Sequence, residues 1–176
     1  QKLTADIDAL LTAVTPRTKI VFLANPNNPT GTLIPFSEAR RLREKLPPQV
    51  ILGLDAAYAE YIDGPEYEDG VSLVNTGTNT VVFHTFSKIY GLPGLRLGWA
   101  YAPAAIIDIM NRVRSPFNVT APALAAGIAA VGDQDYIAVM REKNAEERTR
   151  VSNAIAQLGY RVVPSHANFI LVHFGE

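Results

Sequence analysis

Short apolar runs alternate with amphipathic stretches along the first two thirds of the chain. Four runs rich in branched and aromatic residues predict strands at residues 19–24, 50–54, 80–84 and 97–101. Before and between these runs, apolar positions at helical spacing predict a helix over residues 4–13, with Thr4 as its N-cap, and an amphipathic helix over residues 35–45. Strands separated by helical segments indicate an α/β fold with a doubly wound, mainly parallel sheet.

The last third of the chain has a different pattern. Helices are predicted at residues 103–113 and 121–131, followed by one long helix over residues 135–158 that is polar in its middle and closed by Gly159. Two short strands are predicted after it, at residues 161–163 and 168–173. We therefore expect a domain boundary near the long helix, with residues 1–134 in a large domain and residues 135–176 forming a connecting helix and the start of a small α+β domain.

Composition excludes several classes of function. The 176 residues carry 16 Lys and Arg against 17 Asp and Glu, and this balance argues against nucleic acid or an anionic membrane as a partner. Cysteine is absent, so disulfides, zinc–thiolate sites and a catalytic thiol are excluded. The three histidines, His84, His166 and His173, show no metal-ligand spacing, and we expect no metal.

Polar side chains follow three of the predicted strands. Asn28 comes just after the first strand, Asp55 ends the second with Tyr58 three residues later, and Lys88 comes just after the third. The carboxyl ends of parallel strands meet at one edge of a sheet, which is where ligands bind in open α/β folds. We therefore expect an amide, a carboxylate, a phenol and an amine to share one edge.

Lys88 lies in the segment TFSKIYGLPGLRLG, whose hydroxyl groups, glycines and arginine suit a phosphate. The lysine is then either an ion-pairing phosphate ligand or an amine that forms a Schiff base with a phosphorylated aldehyde. The P-loop spacing is absent, because the glycines follow the lysine. Asp55 favours the second interpretation, since pyridoxal 5′-phosphate needs a carboxylate beside its ring nitrogen to act as an electron sink.

Three motifs, NPNNPTG, LDAAY and TFSKIYGLPGLRLGW, occur in this order and resemble the pyridoxal-phosphate-dependent aminotransferases of fold type I. The stretches SKIYGLPGLRLGWAYAP and RVRSPFNVTAPALAAG are most similar to the class II branch that contains the histidinol-phosphate aminotransferases. The resemblance covers essentially the whole chain. It implies a cofactor-binding large domain with a mainly parallel sheet.

The resemblance also implies a role for each candidate residue. Lys88 would bond to the cofactor aldehyde, Asp55 would pair with the pyridinium nitrogen, and Asn28 and Tyr58 would contact the ring hydroxyl. The expected phosphate ligands are Thr85, Ser87 and Arg96. The implied reaction is transamination of histidinol phosphate with 2-oxoglutarate, a small amino donor and a 2-oxo acid, in a cytoplasmic homodimer.

Several alternatives stay open at this point. The same scaffold serves aminotransferases for aromatic and other amino acids, decarboxylases of phosphorylated amino acids, and aminotransferase-like sensor domains of transcription regulators. The chain starts at Gln1 and stops at Glu176 on a strand-like run, so we expect a fragment. Three parts of the family's pattern have no counterpart in the chain: the N-terminal phosphate loop, the aromatic residue that stacks on the ring, and the arginine for the substrate carboxylate.

Overall fold

The computed structural model describes residues 3–175, so Gln1 and Glu176, where the expected fragment begins and ends, lie outside the described residues. A four-stranded sheet has the order β1-β2-β3-β4. Its strands are β1 (Ile20–Ala24), β2 (Ile51–Asp55), β3 (Thr80–Thr85) and β4 (Gly98–Tyr101). The first three strands are parallel and β4 is antiparallel to β3. The predicted α/β fold with a mainly parallel sheet is therefore confirmed. Within residues 3–175 the strands follow chain order, without the reversal of strand order that the predicted doubly wound sheet would have.

Six helices and a small second sheet complete the described part of the chain. The helices are α1 (Ile7–Thr12), α2 (Phe36–Lys45), α3 (Val71–Thr76), α4 (Ala104–Val113), α5 (Ala121–Gly132) and α6 (Gln134–Gln157). Short 3-10 turns lie at Ala59–Tyr61 and Pro93–Leu95. The second sheet pairs β5 (Arg161–Val163) with β6 (Leu171–His173) in antiparallel fashion. None of the helices within residues 3–175 combines the length and apolar content that crossing a membrane requires.

The helix ends show how local sequence sets the boundaries. Asp6, and not Thr4, caps α1, because its carboxylate accepts a hydrogen bond from the backbone nitrogen of Ala9 at 2.9 Å. The prediction of Thr4 as the N-cap is wrong. At the other end of the chain, Gly159 takes a φ of +90° just beyond α6, a conformation that glycine adopts without steric cost. The prediction that Gly159 closes the long helix is confirmed.

One face of the sheet carries the core. Side chains alternate between the two faces of a strand, and Leu23, Leu52, Leu54 and Val82 point to the face covered by α1, α2 and α3. The opposite face bears Phe22, whose ring lies 6.3 Å from that of Phe83. By register and alternation, Asp55 and Thr85 also belong to this second face, whereas His84 points to the helix-covered face.

Candidate active site

The carboxyl ends of β1, β2 and β3 are level with one another. Ala24 is in register with Asp55, and Asp55 with Phe83, so the loops that follow the three strands start at the same edge of the sheet. The backbone nitrogen of Asn25 donates to Asp55 O at 3.1 Å and that of Ala56 donates to Phe83 O at 2.9 Å, which extends the pairing one residue into the loops. The predicted site residues lie in or next to these loops.

The NPNNPTG loop after β1 is held by its first asparagine. Asn25 is buried, and its side-chain amide donates to Ile34 O at 3.0 Å and accepts from Ile34 N at 2.9 Å. The Tyr67 hydroxyl donates to Asn25 O at 2.9 Å, and burial raises the pKa of that phenol. The loop is thereby closed at its base, which leaves the side chain of Asn28 exposed at the edge of the sheet.

Asn28, Tyr58 and Lys88 meet at this edge. The Asn28 amide nitrogen donates to the Tyr58 hydroxyl at 3.0 Å. The Lys88 ammonium nitrogen lies 5.1 Å from the centre of the Tyr58 ring, within the range of a cation–π contact. Tyr58 is only 4% exposed, and Phe169 packs edge-on against its ring at 5.4 Å. The structure therefore brings together an amide, a phenol and an amine from three loops.

Asp55 stands slightly apart from this group. Its Oδ1 accepts a hydrogen bond from Ala57 N at 3.0 Å, and the side chain is exposed. Within residues 3–175 it shares no hydrogen bond with Asn28, Tyr58 or Lys88. The backbone bond fixes the direction of the carboxylate and leaves its second oxygen open to a ligand on this face of the sheet.

The three predicted phosphate ligands form a second cluster beside Lys88. Ser87 N donates to Thr85 Oγ1 at 3.0 Å, and an Arg96 guanidinium nitrogen donates to Ser87 Oγ at 3.3 Å. Arg96 has a φ of +51° and also donates to Pro93 O at 2.8 Å, so the backbone and a carbonyl together direct its side chain toward Ser87. A guanidinium beside a serine hydroxyl can bind an oxyanion such as a phosphate. Lys88 follows Ser87 and connects the two clusters.

Phe169 and Asn25 support the site although neither was predicted as part of it. Phe169 lies in a strand-like apolar run, and nothing in that pattern distinguishes it from a core residue. Asn25 did carry a signal, because it is a polar residue at the end of a buried strand, as Asp55 is. In the described part of the chain, no group of three or more His, Cys, Asp or Glu side chains could hold a metal ion.

The sequence matches known relatives along its whole length. It is 54% identical over 176 residues to the histidinol-phosphate aminotransferase of Granulibacter bethesdensis, which is 100% of this chain and 48% of that protein. It is 54% identical over 173 residues to the enzyme of the same name from Nitrobacter winogradskyi, covering 98% of this chain and 47% of that protein. The chain thus spans about half the length of the curated relatives it matches.

A solved structure shares the fold. The crystal structure of histidinol-phosphate aminotransferase from Sinorhizobium meliloti in complex with pyridoxal-5′-phosphate matches with a TM-score of 0.93 and 32% sequence identity, over 98% of this chain and 47% of that one. The profile of the family described as aminotransferase class I and II matches residues 1–176. With the profile covering every residue and the strand-edge loops arranged as described, this chain belongs to the class I and II aminotransferase family.

Proposed function

We propose that this chain is the pyridoxal-phosphate-binding core of an aminotransferase, and that the complete enzyme transfers an amino group from histidinol phosphate to 2-oxoglutarate. The observation that carries the proposal is the meeting of Asn28, Tyr58 and Lys88 at the strand edge, next to the cluster of Thr85, Ser87 and Arg96. The choice of substrate rests on the 54% identity with relatives that bear this name.

The donor set fits pyridoxal phosphate group by group. An aldehyde requires an amine, which Lys88 supplies, and a ring hydroxyl requires hydrogen-bonding partners, which Asn28 and Tyr58 supply. A pyridine nitrogen that must stay protonated requires a carboxylate, and Asp55 has an oxygen open on the same face of the sheet. The phosphate requires a cation and hydroxyl groups, which Arg96 and its neighbours supply.

When bound, pyridoxal phosphate supplies the electron sink that accepts the electrons of the substrate Cα–H bond. The Lys88 amine would bind the cofactor aldehyde, and its free Nζ would carry the proton between the substrate α-carbon and the C4′ carbon of the cofactor. The Asp55 carboxylate holds the proton on the ring nitrogen by its negative charge. Asn28 and Tyr58 orient the ring through its hydroxyl, and Arg96 anchors the phosphate, so that Nζ stays within reach of both carbons.

Chemical trapping tests the role of Lys88 in this chain. The chain is mixed with pyridoxal phosphate, its visible absorbance is recorded, and borohydride is added to make any lysine–aldehyde bond permanent before peptide mapping. We expect the adduct on Lys88, its loss in Lys88→Ala, and no change in Lys143→Ala, which removes an exposed lysine on α6. An adduct that maps mainly to other lysines would overturn the assignment.

The substrate is tested with the full-length enzyme. Histidinol phosphate and 2-oxoglutarate should yield glutamate, and Lys88→Ala should abolish its formation. Carbon dioxide release without glutamate would instead identify a decarboxylase on the same scaffold. Glutamate formed from aromatic amino acids and not from histidinol phosphate would contradict the proposed substrate while retaining the reaction.

The domain division and the quaternary structure are also part of the proposal. Residues 1–134 would belong to the large domain, and residues 135–176 to a connecting helix and the start of the small domain, since α6 leads to a separate sheet. Phe117, which is 97% exposed between α4 and α5, supports a homodimer interface there. Light scattering should give the mass of a dimer for the full-length enzyme and the mass of a monomer for Phe117→Asp. A cytoplasmic location stays a prediction from the family resemblance.

A further inference from the structure

A charged cluster lies under the active site, on the helix-covered face of the sheet. His84, the residue before the last in β3, is 7% exposed. Its Nδ1 lies 2.9 Å from Glu60 Oε1 and its Nε2 lies 3.1 Å from Asp69 Oδ2. Both ring nitrogens therefore face a carboxylate, in a place that no step of the proposed reaction uses.

This arrangement determines the protonation state of the imidazole. A neutral imidazole has one N–H group and could donate to only one of the two carboxylates, whereas the imidazolium donates to both. The indole of Trp99, its cross-strand partner on β4, stacks on the imidazole with 4.1 Å between ring centres and 5° between planes, which also favours a cation. Burial alone would lower the pKa of His84, but the bonds to Asp69 and Glu60 outweigh it and raise the pKa to about 9.

Among residues 3–175, His84 is the one cationic side chain that forms an ion pair with Glu60 or Asp69. Tyr61, Tyr67 and Tyr90 surround Glu60, and burial raises the pKa of each phenol, so all three stay neutral where the imidazolium is charged. The Arg141 guanidinium approaches from α6 but donates to the backbone oxygen of Glu60 at 2.7 Å and leaves its carboxylate to His84. The imidazolium thus faces both Glu60 and Asp69, and the cluster keeps one net negative charge.

The cluster connects three segments that build the site. Glu60 lies in the 3-10 turn two residues after Tyr58, and the Tyr61 backbone nitrogen closes this turn on Tyr58 O at 3.2 Å. Asp69 lies in the loop that leads into α3, and His84 lies on β3 four residues before Lys88. The ion pairs therefore bind the turn that carries the phenol to the strand that leads into the Lys88 loop.

We propose that His84 is a positioning residue, which as an imidazolium bonded to Glu60 and Asp69 fixes the Tyr58 turn against the end of β3 and so sets the position of the phenol relative to the Lys88 amine. The inference rests on the proposed function, because only there does the position of the Tyr58 phenol relative to the Lys88 amine affect a reaction. The ion pairs of His84 with Glu60 and Asp69 are a property of this chain, and their effect on the Tyr58 turn is measurable without any cofactor.

The fluorescence of Trp99 reports the charge on His84 directly. Trp99 is the one tryptophan of the sequence, and an imidazolium in contact with an indole quenches its emission. We expect emission to rise as the pH is increased through about 9, and this step to vanish in His84→Gln. The matched control His173→Gln changes an exposed histidine on β6 and should retain the step. A step near the ordinary histidine pKa, or one that survives in His84→Gln, would overturn the proposal.

Backbone hydrogen exchange tests the positioning of the turn. The amides of Tyr61 and Ile62, which close the turn on Tyr58 and Ala59, should exchange roughly tenfold faster in His84→Gln at neutral pH. His84→Arg keeps a cation between the carboxylates and should restore the slow exchange, which a purely steric role of the imidazole would not predict. Equal exchange in the unchanged chain and in His84→Gln would overturn the proposal.

The rate of pyridoxal phosphate capture then tests whether the ion pairs of His84 affect the reactivity of Lys88. Trapping at Lys88 should slow by roughly tenfold or more in His84→Gln, since misplacing a reacting group by about 1 Å has effects of that size or larger. It should recover in His84→Arg and be unaffected in His173→Gln. If neither the unchanged chain nor the full-length enzyme captures pyridoxal phosphate at Lys88, the proposed function fails, and hydrogen exchange alone decides the role of His84. Capture at the unchanged rate in His84→Gln would overturn the positioning role while leaving the proposed function intact.

Discussion

Replacing Gly31 by alanine should destabilise the chain through a contact between two distant segments. Gly31 ends the NPNNPTG loop with a φ of +72°, and a Cβ built there would lie 2.2 Å from Ser165 Oγ and 2.7 Å from Ser165 Cβ. The Ser165 hydroxyl donates to Phe169 O at 2.6 Å and accepts from Ala167 N at 3.1 Å. The added methyl group must therefore displace a side chain that organises the loop between β5 and β6.

The magnitude follows from three contributions. A left-handed backbone costs an L-residue about 1 to 2 kcal/mol relative to glycine. Overpacking a filled space costs about 1 to 3 kcal/mol. Each weakened hydrogen bond of the Ser165 hydroxyl costs about 1 kcal/mol. We therefore expect the free energy of unfolding to fall by about 4 to 7 kcal/mol in Gly31→Ala.

Gly159 provides a matched control for the backbone contribution. Its φ is +90°, and a Cβ there would meet no atom within 4 Å. Gly159→Ala should therefore cost only about 1 to 2 kcal/mol. Urea denaturation followed by circular dichroism measures both variants, and the difference between them isolates the contact with Ser165.

A second variant tests the cause of this difference. Removing the Ser165 side chain in Ser165→Gly should remove most of the extra cost of Gly31→Ala over Gly159→Ala, and only a backbone contact with Ser165 Cα at 3.2 Å remains. A double-mutant cycle expresses this as a coupling energy. The reasoning would be refuted if Gly31→Ala and Gly159→Ala had equal effects, or if Ser165→Gly left the cost of Gly31→Ala unchanged.

Three further predictions concern stability. Thr80→Val should raise the free energy of unfolding by about 1 kcal/mol in urea titrations, because the buried Thr80 hydroxyl has no hydrogen-bond partner within residues 3–175; a loss of stability would contradict this. Arg43→Met should lower it by about 2 kcal/mol, since the guanidinium donates to four backbone oxygens, two just after α2 and one just before each of β2 and β3, whereas the exposed control Lys45→Met should change little. The pKa of His84 is raised from 6.5 to about 9, so its ion pairs should contribute fully to the free energy of unfolding below pH 6.5, and this contribution should be lost as the pH rises through about 9. Denaturation at a series of pH values should show this loss in the unchanged chain but not in His84→Gln.

Several parts of the molecule could be predicted from the sequence because their causes are local. The strands follow from short branched apolar runs, and α6 ends where glycine permits a positive φ. The grouping of Asn28, Tyr58 and Lys88 follows from a general property of parallel sheets, whose strand ends meet at one edge. Even so, Asp6 and not Thr4 caps α1, since two candidate caps close together differ only in which carboxylate or hydroxyl reaches the helix amides.

The remaining features depend on contacts between segments that are distant along the chain. Nothing near His84 in the sequence predicts that Glu60 and Asp69, 24 and 15 residues away, lie at its two ring nitrogens. Likewise, Phe169 contacts Tyr58 across a loop between β5 and β6 that is bonded to the Asn28 loop, where His166 N donates to Gly31 O at 2.7 Å. The strands, the helices other than α3 and the chemistry offered at the sheet edge are predictable from the sequence alone. Which side chains are charged, buried or close to one another depends on the tertiary structure, because desolvation and hydrogen-bond partners are set by packing between distant segments.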